Sequence, residues 1–151
     1  MRSLFVCIFA VALIAGCNND DKKAAGGTAA GSVITDSSQF TTIQWLDSTN
    51  KDFGKIQEGQ KLEVAFRVKN TGDKPLVIEK VQPSCGCTVA EQPTEPIQPG
   101  GEGQIKATFN SEHKSGINHK SLTVYANTKP SRASSLQFVV EVIKAGEGEK
   151  K

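Results

Sequence analysis

An all-β sandwich of about seven short strands is the fold the sequence predicts for residues 40–144, and three observations predict it. Apolar and polar residues alternate at period two along most of this segment. Clusters of Gly, Pro, Asn and Ser recur between the alternating runs, where strands must end. No window carries apolar residues at the spacing of an amphipathic helix. A sheet with one oily face needs a second layer over it, and with no helix available that layer must be another sheet.

The elements follow in order. Ile43 and Trp45 mark a strand near the start, and Leu62, Val64, Phe66 and Val68 mark the next. Leu76, Ile78 and Val81 suggest a strand whose phase slips between Ile78 and Val81, as a β-bulge would make it do. Ile105, Ala107 and Phe109, then Leu122, Val124 and Ala126, then Leu136, Phe138, Val140 and Val142 give three more. Turn chemistry separates them at residues 70–75, at 99–103, at 111–118 around Gly116, and at 127–131 around Pro130. Short strands with frequent turn signals are the pattern of a β-sandwich.

The first sixteen residues read differently. Arg2 supplies a positive start and Leu4 to Ile14 an apolar run of signal-peptide length, too short to span a bilayer as a permanent helix. It ends in Ile14-Ala15-Gly16-Cys17, which resembles the lipobox at which bacterial lipoproteins are acylated on the cysteine and cleaved before it. The expected organisation is a signal peptide over 1–16, a lipidated Cys17 opening a disordered tether over 17–39, the β domain over 40–144, and a disordered tail over 145–151. The tether is rich in Ala, Gly, Ser, Thr and Lys with almost no large apolar residue, so it cannot bury enough surface to offset chain entropy. Acyl chains gain about 0.8 kcal/mol per buried methylene, and two or more hold a protein stably at a membrane. The expected location is the bacterial cell envelope, facing the periplasm or the cell surface, with the membrane as one partner through the lipid.

Composition excludes other classes. Loss of Arg2, the one charged residue of the leader, takes the formal net charge from +2 to +1. The lysines are spread along the chain and aromatic residues are few, so neither a phosphate-binding stripe nor a base-stacking platform for nucleic acid is present. There is no Gly-x-Ser-x-Gly elbow, no Gly-x-x-x-x-Gly-Lys loop and no His-Glu-x-x-His pair, so the expectation is no enzyme and no catalytic residue. Gly100, Gly101 and Gly103 sit between β segments, where a turn explains them better than a phosphate cradle. Glu91, Glu95 and Glu112 read as solvated charge. Asp47-Ser48-Thr49 resembles a short bacterial O-glycosylation acceptor and equally suits a turn.

Cys85-Gly86-Cys87 is the one reactive constellation of the β domain. In extended chain both sulfurs would face one side, and Gly86 also permits a turn tight enough to join them. A disulfide here would close a very small loop, which removes little entropy from the unfolded chain. Three readings stay open: a shaped strand-to-loop transition with the sulfurs bonded or packed, a thiol redox or disulfide-exchange site, and a soft-metal site for Cu(I) or Zn(II). Zinc would want further ligands, for which only His113 and His119 are available, and both read as loop residues flanking Gly116. The expectation is no cofactor, with the metal as the alternative.

A family resemblance spans residues 53–127. Phe53-Gly54-Lys55-Ile56-Gln57-Glu58-Gly59, then Phe66-Arg67-Val68-Lys69-Asn70-Thr71-Gly72-Asp73-Lys74-Pro75-Leu76, then Ser84-Cys85-Gly86-Cys87-Thr88, then Pro99-Gly100-Gly101 resemble, in order, the motifs of the bacterial domain-of-unknown-function family numbered 1573. That family is similar in fold to the immunoglobulin-like domains of major sperm protein and related ciliary and centrosomal modules, and many of its members are lipoproteins. The resemblance implies fold and compartment. The function expected is a membrane-anchored, non-catalytic binding or scaffolding module with a protein partner in the envelope; the alternative is thiol redox or copper or zinc handling at Cys85 and Cys87.

Overall fold

The computed structural model describes residues 35–144. The signal peptide, the lipidation of Cys17, most of the tether and the tail fall outside the described residues. Eight strands form: β1 Ile43–Trp45, β2 Asn50–Gln57, β3 Lys61–Asn70, β4 Ile78–Pro83, β5 Thr88–Glu91, β6 Glu102–Asn110, β7 Gly116–Ala126 and β8 Ala133–Ile143. They make two four-stranded sheets, ordered β1-β3-β6-β5 and β2-β8-β7-β4. All pairings are antiparallel except that of β2 with β8.

Alternation places the core. Val64, Phe66 and Val68 of β3 and Ile105, Ala107 and Phe109 of β6 face Leu122, Val124 and Ala126 of β7 and Leu136, Phe138, Val140 and Val142 of β8, all of them buried. Phe138 meets the edges of Phe53 and Phe109, with ring centroids 6.1 and 6.2 Å away. Full burial of a side chain of this kind contributes about 2–3 kcal/mol, which is why the two sheets stay together. The phase slip expected in β4 is present, as a register shift between Ile78 and Lys80 against β7.

Sequence alone missed two strands, each for a local reason. In β2 the register against β8 shifts between Asp52 and Lys55, so the core-facing side changes from Phe53 to Ile56 and the period-two signal is broken. Gly54 sits in that bulge at φ 66°, and its N–H donates to the Asp52 carboxylate. Strand β5 has four residues, too short for a period to declare itself. Leu76 lies outside β4, in an isolated bridge with Ile97. Residues Ser37–Gln39, which the sequence puts in the tether, form a 3-10 turn capped by the Asp36 side chain.

One end of the sandwich is fixed by two buried asparagines. The Asn70 amide donates to the carbonyls of Lys74 and Ile97, and its oxygen accepts from the Thr41 hydroxyl and the Gly72 N–H. The Asn127 amide donates to the carbonyls of Gln39 and Pro75, and its oxygen accepts from the Val77 N–H. Each therefore ties three separate stretches of chain, and among the described residues no buried side-chain nitrogen or oxygen lacks a partner.

Candidate functional site

The opposite end carries Cys85 and Cys87. Strand β4 lies at the edge of one sheet and β5 at the edge of the other, so the chain must cross the sandwich between Pro83 and Thr88. Both sides of the crossing are held. The Ser84 N–H donates to the Ser121 carbonyl at 2.9 Å, and the Ser121 N–H returns to the Ser84 hydroxyl at 3.1 Å, which fastens it to β7. The Asn110 N–H donates to the Cys87 carbonyl at 2.9 Å, which fastens it to β6, and the Thr88 N–H closes a turn on the Cys85 carbonyl. Within this turn Cys85 and Cys87 form a disulfide with Cα atoms 5.3 Å apart. Cys87 packs against the core, and the Cys85 sulfur lies 3.6 Å from the hydroxyl of the buried Thr88.

An open groove of about 400 Å³ runs beside the bond, lined by Lys61, Gly86, Cys87, Val89, His113 and Lys114 among others. His113 stands at φ 57° in the turn before β7, and its Nε2 is 3.7 Å from Glu112. Lys120 comes from β7 beneath the same crossing, with its ammonium 5.4 Å from the centroid of Phe109. Phe109 is the register partner of Thr88. Partial burial, reinforced by the Lys114 ammonium, pulls the pKa of Lys120 down. Lys61, Lys114 and the acidic Glu112 thus share this end of the molecule, with an exposed apolar Val89 (66%) on its flank.

A second groove, of about 610 Å³, lies on the outer face of β6, walled by the connection from β5 to β6. Glu91, Pro93, Glu95, Gln98, Gln104 and Lys106 shape it. It shares Glu91, Gln104 and Lys106 with a neighbouring depression of about 470 Å³ reaching across to Glu63 and Ala65 of β3.

The residues singled out in the sequence are distributed as follows. Cys85 and Cys87 are bonded to each other, and His113 shares a groove with Cys87. His119 pairs in register with Val139 within β7 and β8, where the sequence suggested a loop. Among the described residues no three His, Cys, Asp or Glu side chains are placed to hold a metal ion, so the four candidate ligands do not form one cluster. Glu91 and Glu95 share the outer groove, whereas Glu112 stands beside His113. Gly100 takes φ 77° in a turn whose N–H donates to the Asn70 carbonyl. Asp47 turns back to accept from the backbone and guanidinium of Arg67, which holds its carboxyl well below the usual range, while the Ser48 hydroxyl closes the same bend on Asn50. Lys114 and Lys120 escaped notice because lysines scattered along a sequence carry no motif, and although Thr88 closes the family motif at 84–88, nothing in the sequence singles out its hydroxyl.

Two four-stranded sheets packed face to face, closed by cross-sheet connections, define an immunoglobulin-like β-sandwich, and solved structures bear this out. An uncharacterised protein of Porphyromonas gingivalis W83 superposes with a TM-score of 0.60 at 18% identity, over 70% of this chain and 49% of that one. The PapD-like domain 7 of human CEP192, an ASH domain, gives 0.53 at 13% identity, over 71% of this chain and 89% of that domain. The secreted serine protease VesC of Vibrio cholerae gives 0.52 at 10%, over 68% of this chain and 23% of its own. The chain thus spans about half of the Porphyromonas protein and under a quarter of VesC, and at such identities the likeness is one of fold. Within that class, residues 44–142 match DUF1573, a family of proteins of unknown function, and the chain belongs to it. No curated protein matches it in sequence.

Proposed function

We propose that the protein is an envelope lipoprotein, anchored through Cys17, whose sandwich is a non-catalytic module that binds a protein partner in the groove on the outer face of β6. The observation that carries the binding part is the continuity of that groove with the depression over β3 and β6, through the shared Glu91, Gln104 and Lys106. A surface that mixes apolar, polar and charged groups, open along its length and set on a rigid sheet, suits an extended partner segment better than a small apolar ligand. The anchor reading rests on the Ile14-Ala15-Gly16-Cys17 sequence after the apolar run. Lipid attachment restricts the module to a membrane surface, which raises its effective concentration toward partners held there.

The test uses a photo-crosslinking residue at Gln104, inside the groove, and another at Gln137, exposed on β8 of the opposite sheet, in the full chain in its host. One defined adduct from Gln104 and none from Gln137 is expected; equal yields from both positions would refute the groove as the binding face. Labelled fatty acid should enter the wild type and be absent from Cys17→Ser, and label in that variant would refute the anchor.

A further inference from the structure

We propose that the Cys85–Cys87 disulfide is a thiol-exchange site for small anionic thiols, entered through the groove at Cys87, with Cys85 leaving as a thiolate beside the Thr88 hydroxyl. This lies at the end of the sandwich away from the two buried asparagines and meets the surface proposed for a protein partner only at Thr108.

Three observations carry the proposal. The bond joins residues two apart, so the loop it closes is minimal and its removal frees almost no chain entropy; it contributes little as a staple, and reducing it costs the fold little. Moreover, the crossing is already held by backbone bonds from Ser84 to β7 and from Cys87 to β6, none of which needs the sulfurs. Second, the two sulfurs are not equivalent. Cys87 lines the open groove, whereas Cys85 has the hydroxyl of a buried threonine 3.6 Å away. Third, two lysines, Lys61 and Lys114, line the approach against one acidic residue, Glu112. A thiolate is the attacking form, so positive charge along its path favours the encounter.

The exchange balances without any bound cofactor. The thiolate of a first small thiol forms a bond to the Cys87 sulfur, the Cys85–Cys87 bond breaks, and its electron pair leaves on Cys85. Thr88 can donate its hydroxyl hydrogen to that thiolate, which then takes a proton from water. A second thiolate attacks the external sulfur of the mixed disulfide, releasing a small-molecule disulfide and leaving Cys87 as thiolate. Two thiols are oxidised to one disulfide, and the protein disulfide is reduced by two electrons to a dithiol.

The experiment takes the oxidised full chain, adds mercaptoacetate, and quenches early with iodoacetamide. Fragmentation of the tryptic peptide covering 81–106 then shows which sulfur carries which group. Mercaptoacetate on Cys87 and the alkyl group on Cys85 is expected, and the reverse or an even mixture would overturn the directional mechanism. Resistance of the bond to millimolar thiol in the folded protein would overturn the proposal outright. Rates with mercaptoacetate and with cationic cysteamine give a ratio that Lys114→Gln should lower by about two- to threefold, the size of an exposed charge interaction. An unchanged ratio would overturn the anionic selectivity. Thr88→Val should slow reduction by about tenfold through loss of a hydrogen bond to a charged group. An unchanged rate in a folded variant would remove Thr88 from the step, and the adduct assignment in the wild type stands whether or not that variant folds.

Discussion

Replacing Asn70 with alanine should cost about 3–5 kcal/mol of folding stability, and the figure can be built bond by bond. The Thr41 hydroxyl is fully buried and donates to Asn70, so its lost acceptor costs about 1–3 kcal/mol. The Ile97 carbonyl keeps the N–H of Leu76 and loses less, about 0.5–1 kcal/mol. The Lys74 carbonyl is partly reached by water and the Gly72 N–H keeps the Thr42 carbonyl, so each loses about the same. Domains of this size are stable by about 5–15 kcal/mol, so the loss is a large fraction of the total. A change of 1 kcal/mol moves the midpoint of a domain this size by about 4–8 °C, which puts the expected fall in Tm at roughly 12–40 °C. Trp45, the single tryptophan and partly buried against the core, reports the transition by fluorescence. Asn118→Ala is the control, because its amide bonds only the nearby carbonyls of Ser115 and Gly116 at the surface, and it should stay within about 0.5 kcal/mol of the wild type. A loss under about 1 kcal/mol for Asn70→Ala would refute the assignment of this side chain as the tie between β3, the residues before β1 and the connection to β6.

Further outcomes follow from other contacts. Gly72→Ala should destabilise by about 1–3 kcal/mol, because the new methyl would lie 2.7 Å from the Thr42 nitrogen and closer still to the Thr41 hydroxyl; chemical denaturation checks it, and a neutral result would mean that the segment before β1 moves freely. Arg132→Ala should cost about 2–4 kcal/mol, since the guanidinium bonds both oxygens of the largely buried Glu79 at 2.7 Å and stacks 5.5 Å from Phe40; a loss below 1 kcal/mol in a urea titration contradicts this. The Asp47 carboxyl titrates below its ordinary value of 3.8 because Arg67 bonds it, so its contribution is fully present above that pH and is lost as pH falls through the depressed value. The stability difference between wild type and Asp47→Asn should therefore be greatest near neutrality and shrink below pH 4, and a difference that grows on acidification would contradict the pairing.

Much of the fold was legible because burial in a sandwich is written at period two. The core residues of β3, β6, β7 and β8 are those the alternation picks out, and even the slip in β4 shows as a break in phase. What escaped was structure whose signal is not periodic. The bulge at Gly54 hid β2, and no local pattern announces that a strand early in the chain pairs in parallel with the last one. Asn70 reads as a turn residue in sequence, yet it ends a strand in full burial, because a side chain with two donors and an acceptor can stand in for missing ladder partners where chain segments converge. At the other end, Cys85-Gly86-Cys87 announces itself, while Thr88, Lys114 and Lys120 become neighbours only once β5, β6 and β7 are packed.

The central claim is that a rigid two-sheet sandwich is displayed at a membrane by lipid on Cys17. Intact mass of the protein recovered from the membrane fraction of its host tests it most directly. The mass expected is that of a chain beginning at Cys17 plus two or three acyl chains and their linking glyceryl group. A mature chain that retains residues 1–16, or one that begins at Cys17 with no added lipid, would contradict the account.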